Sequence, residues 1–141
     1  MTDFPVAETL DCGDAPLFVF VDHASNAVPE SFDDLGLPKD VLGTHIGWDI
    51  GAAALGRNLA KQLKSKALFC RFSRLLIDPN RSLDKPDLIP FEADRIPIPG
   101  NQDLTAADRH QRIERFHQPY HEQLELALDL VCRAHTDPLI L

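Results

Sequence analysis

Cysteine is scarce: Cys12, Cys70 and Cys132 are the only three, far apart and without a C-x-x-C pair. An odd, dispersed set excludes a disulfide framework and a cysteine zinc site and fits reduced thiols. Cations are also in deficit, with 14 Lys and Arg against 22 Asp and Glu and a formal net charge of −8. Gripping a phosphate backbone requires clustered Lys and Arg that release counterions, so scattered and outnumbered cations argue against nucleic acid as a partner. No apolar run approaches the length of a membrane span, which predicts no membrane partner. The stretch from Met1 to Leu10 carries two acids and no basic residue, unlike a secretory signal, and the expected location is cytoplasmic. Neither G-x-S-x-G nor G-x-x-x-x-G-K occurs, so Trp48, Gly47, Gly51 and the cysteines belong to no nucleophile-elbow or phosphate-loop pattern.

With 141 residues and 44% hydrophobic content, the chain predicts one globular domain over 1–141. Leu17-Phe18-Val19-Phe20-Val21 is an apolar, β-branched and aromatic run of strand length. It ends in Asp22-His23-Ala24-Ser25-Asn26, which puts His23 just past the carboxyl end of a strand, where open α/β sheets form their ligand crevices. From Asp49 onward, Ile50, Ala53, Ala54, Leu55, Leu59 and Leu63 recur at helical steps, with Asp49 at the start and Lys61 to Lys66 at the end, as the helix dipole favours. Strand signals follow at 67–72 and again at 75–78. The strand, helix, strand order predicts an α/β fold. Between Pro79 and Leu104 lie five prolines and no sustained period, the signature of a long irregular excursion that serves a site. Thr105 and Asp108 form a capping-box pattern ahead of a long helix marked by Ile113, Phe116, Tyr120, Leu124, Ala127, Leu128 and Val131. Pro119 is expected to kink or interrupt that helix near His117 and Gln118. The last residues, 137–141, predict a turn into a further buried strand, and with it an amino-terminal part of a longer polypeptide.

Several residues could carry chemistry, and each has a structural alternative. His23 is a metal ligand or an ordinary strand-end histidine. Asp49 is an N-cap or an acidic ligand facing the same crevice, with His45 as a rival ligand. Arg74, Asp78, Asn80 and Arg81 are a dense polar group. A guanidinium there could grip a substrate carboxylate through paired hydrogen bonds, or one arginine could simply pair with Asp78. His110, His117 and His121 lie along one helical stripe, but there is no H-E-x-x-H pattern and Pro119 intervenes. A solvated face is expected for His110 and His117, while His121, beside the only tyrosine, Tyr120, stays a candidate.

Four segments in order, 21–29 (VDHASNAVP), 45–52 (HIGWDIGA), 73–81 (SRLLIDPNR) and 119–121 (PYH), resemble the N-formylglutamate amidohydrolase family. The resemblance runs from about Phe18 to Leu141. It implies a three-layer α/β/α sandwich around a mostly parallel sheet, similar to zinc carboxypeptidases and amidases. It also implies metal-dependent hydrolysis of N-formyl or N-acyl amino acids, typically N-formyl-L-glutamate to glutamate and formate. By the same resemblance His23 and Asp49 are zinc ligands, Asn80 and Arg81 with Arg74 bind the substrate carboxylate, and His121 lies at the site as a catalytic candidate. The remaining zinc ligand, a histidine, and a general-base glutamate are expected beyond Leu141. The expected partner is therefore a small anionic N-acyl amino acid. The alternative is a metal-free binding domain that keeps the scaffold and the arginine clamp.

Overall fold

The computed structural model describes residues 4–141. Four strands, β1 (Ala7–Asp11), β2 (Leu17–Val21), β3 (Lys66–Cys70) and β6 (Leu139–Ile140), form a sheet in the order β1-β3-β2-β6. β2 runs parallel to both β3 and β6, with Phe18 opposite Lys66 and Val21 opposite Phe69, while β1 pairs antiparallel with β3. The alternation along each strand sorts side chains between two cores. Phe18, Leu68 and Cys70 join Tyr120, Leu124 and Val131 of helix α4 (Gln118–Ala134). Val19, Ala67 and Phe69 join Ala60 of helix α2 (Ala52–Leu63), which follows the single-turn α1 (Lys39–Leu42), on the other face. The result is the α/β fold that the alternation of strands and helices predicts, in the three-layer arrangement that the family resemblance implies. Gly56 brings α2 close to the sheet, since a Cβ there would lie 2.7 Å from Val21 and 2.9 Å from Phe69.

The order of elements matches the sequence reading, but four local features differ. α2 starts at Ala52 behind Gly51, whose φ of 87° glycine adopts without strain, so Asp49 lies ahead of the helix rather than in its first turn. The segment 75–78 is no strand. Leu75, Leu76 and Ile77 are fully buried in a turn whose carbonyls are taken by side chains instead of a sheet ladder, Leu75 O by Asn101 at 2.8 Å and Leu76 O by Arg112 at 2.8 Å. β6 forms as expected but is an exposed edge rather than a buried strand, with Leu139 55% exposed. Finally, the interruption expected near His117 and Gln118 is present, but it takes the form of a π turn rather than a break. α3 (Ala106–Arg112) begins with the predicted Thr105–Asp108 capping box and runs through a π turn at Ile113–His117 directly into α4. There the Gln118 N–H reaches back to Ile113 O, and the wider turn makes room for a proline ring that has no N–H to contribute.

The excursion from Pro79 is irregular, as expected. It contains a short helix-like turn at Pro86–Leu88 and a small hairpin of β4 (Glu92–Ala93) and β5 (Ile96–Pro97). Among the described residues no helix is long and apolar enough to cross a membrane. All three cysteines are free thiols. Burial pushes the Cys70 thiol far above its ordinary pKa, whereas Cys132 is exposed. An aromatic disulfide reagent at neutral pH is expected to modify Cys132 rapidly and Cys70 only after denaturation. Rapid native-state labelling of Cys70 would contradict this packing.

Candidate active site

The site gathers at the carboxyl end of β2, where three loops are tied together by hydrogen bonds. The Ser73 N–H donates to Ala27 O at 2.7 Å, and its hydroxyl donates to Gly47 O at 2.8 Å. The Asp49 N–H donates to His23 O at 3.0 Å. These bonds bring residues from the 22–27, 45–51 and 73–81 segments to one place, as an open α/β sheet allows at its strand ends.

His23, two residues past β2, is nearly buried between two carboxylates. Its Nε2 lies 2.7 Å from Asp78 Oδ1 and its Nδ1 lies 3.5 Å from Asp49 Oδ2. Asp78 Oδ1 also accepts the backbone N–H of Asn80 at 2.9 Å. Burial pushes the Asp78 carboxyl upward, but the His23 hydrogen bond, the Asn80 N–H and the charges of His23 and Arg81 together hold it below the usual carboxylate range. An ionised carboxylate only accepts, so His23 carries its proton on Nε2. In the neutral imidazole, Nδ1 then presents its lone pair toward Asp49.

Asp49 is half exposed. Arg74 donates from Nη2 to Asp49 Oδ1, which leaves Oδ2 for the His23 side. Two donor atoms of a tetrahedral zinc at bond lengths near 2.1 Å stand about 3.4 Å apart. The 3.5 Å between His23 Nδ1 and Asp49 Oδ2 fits that spacing, so the two residues suit a shared divalent ion. Among the described residues no group of three or more metal-donor side chains is assembled. His45 lies elsewhere, paired at 2.5 Å with Asp94 on the surface.

The clamp candidates follow directly after Asp78. Arg81 is 42% exposed and donates from Nε to Asp87 Oδ2 at 2.8 Å and from Nη1 to Asn80 O at 3.3 Å. The proximity of Asp87 and of the Asp78 charge raises the guanidinium pKa further above its already high value. Asp78 therefore pairs with a histidine rather than with Arg74 or Arg81, each of which has another carboxylate as its partner.

Helix α4 and the π turn ahead of it reach this edge through three side chains. His121 donates from Nε2 to Pro79 O at 2.9 Å, and the Tyr120 hydroxyl donates to Asp22 Oδ1 at 2.6 Å. His117, expected on a solvated face, is instead 8% exposed, with its Nε2 2.9 Å from Arg81 O. The loop that follows Asp78 packs over it, and burial lowers its pKa, with the neighbouring His121 acting in the same direction. His110 is exposed beside Glu114, as expected.

The structure thus unites His23, Asp49 and Arg74, places Asn80 and Arg81 on the adjoining loop, and sets His121 of α4 against that loop. Sequence reasoning missed Asp78 as the partner of His23, and it missed His117. The available signal for Asp78 was an acid closing the apolar run Leu75-Leu76-Ile77, where only a paired carboxylate tolerates burial.

A mixed α/β fold with a strand-end histidine held between two carboxylates, next to an Asn-Arg pair, places the chain among open-sheet α/β proteins that build a polar site at the carboxyl ends of their strands. The comparison with known families is specific: the model of the N-formylglutamate amidohydrolase family matches residues 15–141, and the chain belongs to that family. Among solved structures, it is similar to a gene product of Agrobacterium tumefaciens, with 32% identity, a TM-score of 0.86 and coverage of 96% of this chain and 54% of the other. It is also similar to N-formylglutamate amidohydrolase from Ralstonia eutropha JMP134, with 26% identity, a TM-score of 0.68 and coverage of 91% and 52%. The chain spans about half the length of these structures. No curated protein matches it.

Proposed function

We propose that this chain provides the metal-holding and carboxylate-gripping residues of a metal-dependent amidohydrolase that cleaves N-formyl-L-glutamate or a related N-acyl amino acid, releasing formate or the corresponding acid and the free amino acid. The observation that carries the reading is His23, with Nε2 locked by Asp78 and Nδ1 at ligand spacing from Asp49. Family membership and the named activity of the Ralstonia relative support the substrate class.

His23 and Asp49 would hold the ion, with zinc as the expected metal. When bound there, zinc supplies Lewis acidity and a water that ionises near neutral pH. Asp78 keeps the His23 proton on Nε2 and so keeps Nδ1 available as a donor atom. Arg74 holds Asp49 by one oxygen and leaves the other directed to His23. Arg81 and Asn80 fix the substrate carboxylate, and a cationic grip on an otherwise acidic chain selects an anionic substrate.

The test is a zinc titration of the chain at neutral pH, with His23→Ala as control and formate release from N-formyl-L-glutamate as the second readout. One equivalent bound by the wild type and none by His23→Ala is the expected result. Zinc binding that survives His23→Ala would overturn the assignment. Binding of N-formyl-L-glutamate that is indifferent both to a chelator and to His23→Ala would instead establish a metal-free binding domain.

A further inference from the structure

Asn80 and Arg81 sit on a loop that no sheet ladder supports, yet a two-pronged grip on a carboxylate requires both side chains to leave the backbone in fixed directions. The backbone around Asn80 is held from three sides. Its own N–H is accepted by Asp78 Oδ1. The carbonyl before it, Pro79 O, accepts from His121, and the carbonyl after it, Arg81 O, accepts from His117, both at 2.9 Å. The two histidines are one helical turn apart, with ring centroids 4.4 Å apart, so one stripe of the helix meets two carbonyls two residues apart. A carbonyl oxygen only accepts, so both rings carry their proton on Nε2. Between them Tyr120 binds Asp22, the residue before His23. One short helical stretch therefore registers the segments that carry His23 and the Asn80–Arg81 pair.

We propose that His117 and His121 are positioning residues, a pair of Nε2–H donors that hold the carbonyls on either side of Asn80 and thereby aim Asn80 and Arg81 at the substrate carboxylate. The inference rests on the reading of Asn80 and Arg81 as the clamp. It gives His121 a role other than proton transfer, since its Nε2–H is already committed to Pro79 O. The rigid imidazole suits the task, because its N–H lies at a fixed reach from the helix with only two torsions to freeze.

Long-range proton–nitrogen NMR spectra of the 15N-labelled chain read the tautomers directly, and both histidines should show Nε2 protonated. Amide isosteres then separate position from mere polarity. Gln places its NH2 near the Nε2 position, whereas Asn places it near Nδ1. His121 is exposed, so His121→Gln and His121→Asn are the informative pair, and buried His117 is read by its tautomer alone. N-formyl-L-glutamate, followed through the Arg81 Nε–H signal, should bind His121→Asn roughly tenfold more weakly than wild type, the worth of one hydrogen bond, and His121→Gln within about twofold. Zinc affinity should not move in either variant. An Nδ1-protonated ring at either position, or equal binding by the Asn and Gln variants, overturns the proposal. A wild-type chain whose Arg81 signal ignores N-formyl-L-glutamate removes the clamp reading itself. That failure is distinguishable because both tautomers would still read Nε2–H.

Discussion

Arg112→Met is expected to cost about 3 kcal/mol or more of folding stability, seen as a lowered urea midpoint with an unchanged slope. Arg112 is 3% exposed, and among the described residues no carboxylate bonds to it directly. Its Nη1 donates to Leu76 O at 2.8 Å and to Asn101 Oδ1 at 2.6 Å, and its Nη2 donates to Gly100 O at 2.9 Å. Burial lowers the guanidinium pKa, and the Asp108 charge only partly counters it. A methionine fills much of the volume but strands three acceptors away from water, and a buried acceptor left unpaired costs about 1–3 kcal/mol. Arg112→Lys should fall between the two, because an ammonium supplies donors without the planar fork that reaches three oxygens at once. A loss below 1 kcal/mol in Arg112→Met would mean that water replaces the guanidinium, and that the turn at 75–77 is held by Asn101 alone.

That turn also marks the limit of what could be read in the residues. β2, α2 and the capping box of α3 are written in local patterns: an unbroken apolar run, a 3.6-residue period, and a Thr three places before an Asp. Leu75-Leu76-Ile77 has strand composition too. What it lacks is a neighbouring strand, and the groups that satisfy its carbonyls lie 26 residues away at Asn101 and 36 away at Arg112, beyond any window of periodicity. Pro119 announced a disturbance in the right place, but its form depended on whether the helix could widen by one residue, which is decided by packing around Phe116 and Tyr120. The site divides in the same way. His23 was visible because strand ends are where ligands bind, and Asp49 because an acid precedes a helix. That Asp78 is the group that fixes the His23 tautomer became visible only once 55 residues of intervening chain had been folded away.

Asp78→Asn is expected to weaken zinc binding by roughly 10–100-fold with little change in fold, measured by titration at neutral pH against a chromophoric chelator. The asparagine carbonyl can still accept from His23 Nε2 and from the Asn80 N–H, so the geometry at 2.7 and 2.9 Å has a substitute. What disappears is the negative charge that makes the imidazole a stronger donor through Nδ1 and forbids the opposite tautomer. An amide can turn its NH2 toward Nε2 and invite the proton onto Nδ1, the nitrogen proposed to hold the metal. Asp78→Ala removes the acceptor altogether. It leaves the Asn80 N–H and the His23 Nε2–H unpaired in a largely buried setting, so it should lose stability as well as affinity, by about 1–3 kcal/mol for each stranded group. The two variants therefore distinguish charge from scaffolding. If Asp78→Asn binds zinc within twofold of wild type while Asp78→Ala does not, the carboxylate serves only to hold the loop. If both fall by an order of magnitude or more and only Asp78→Ala loses stability, the charge behind His23 tunes the metal-binding face of the ring.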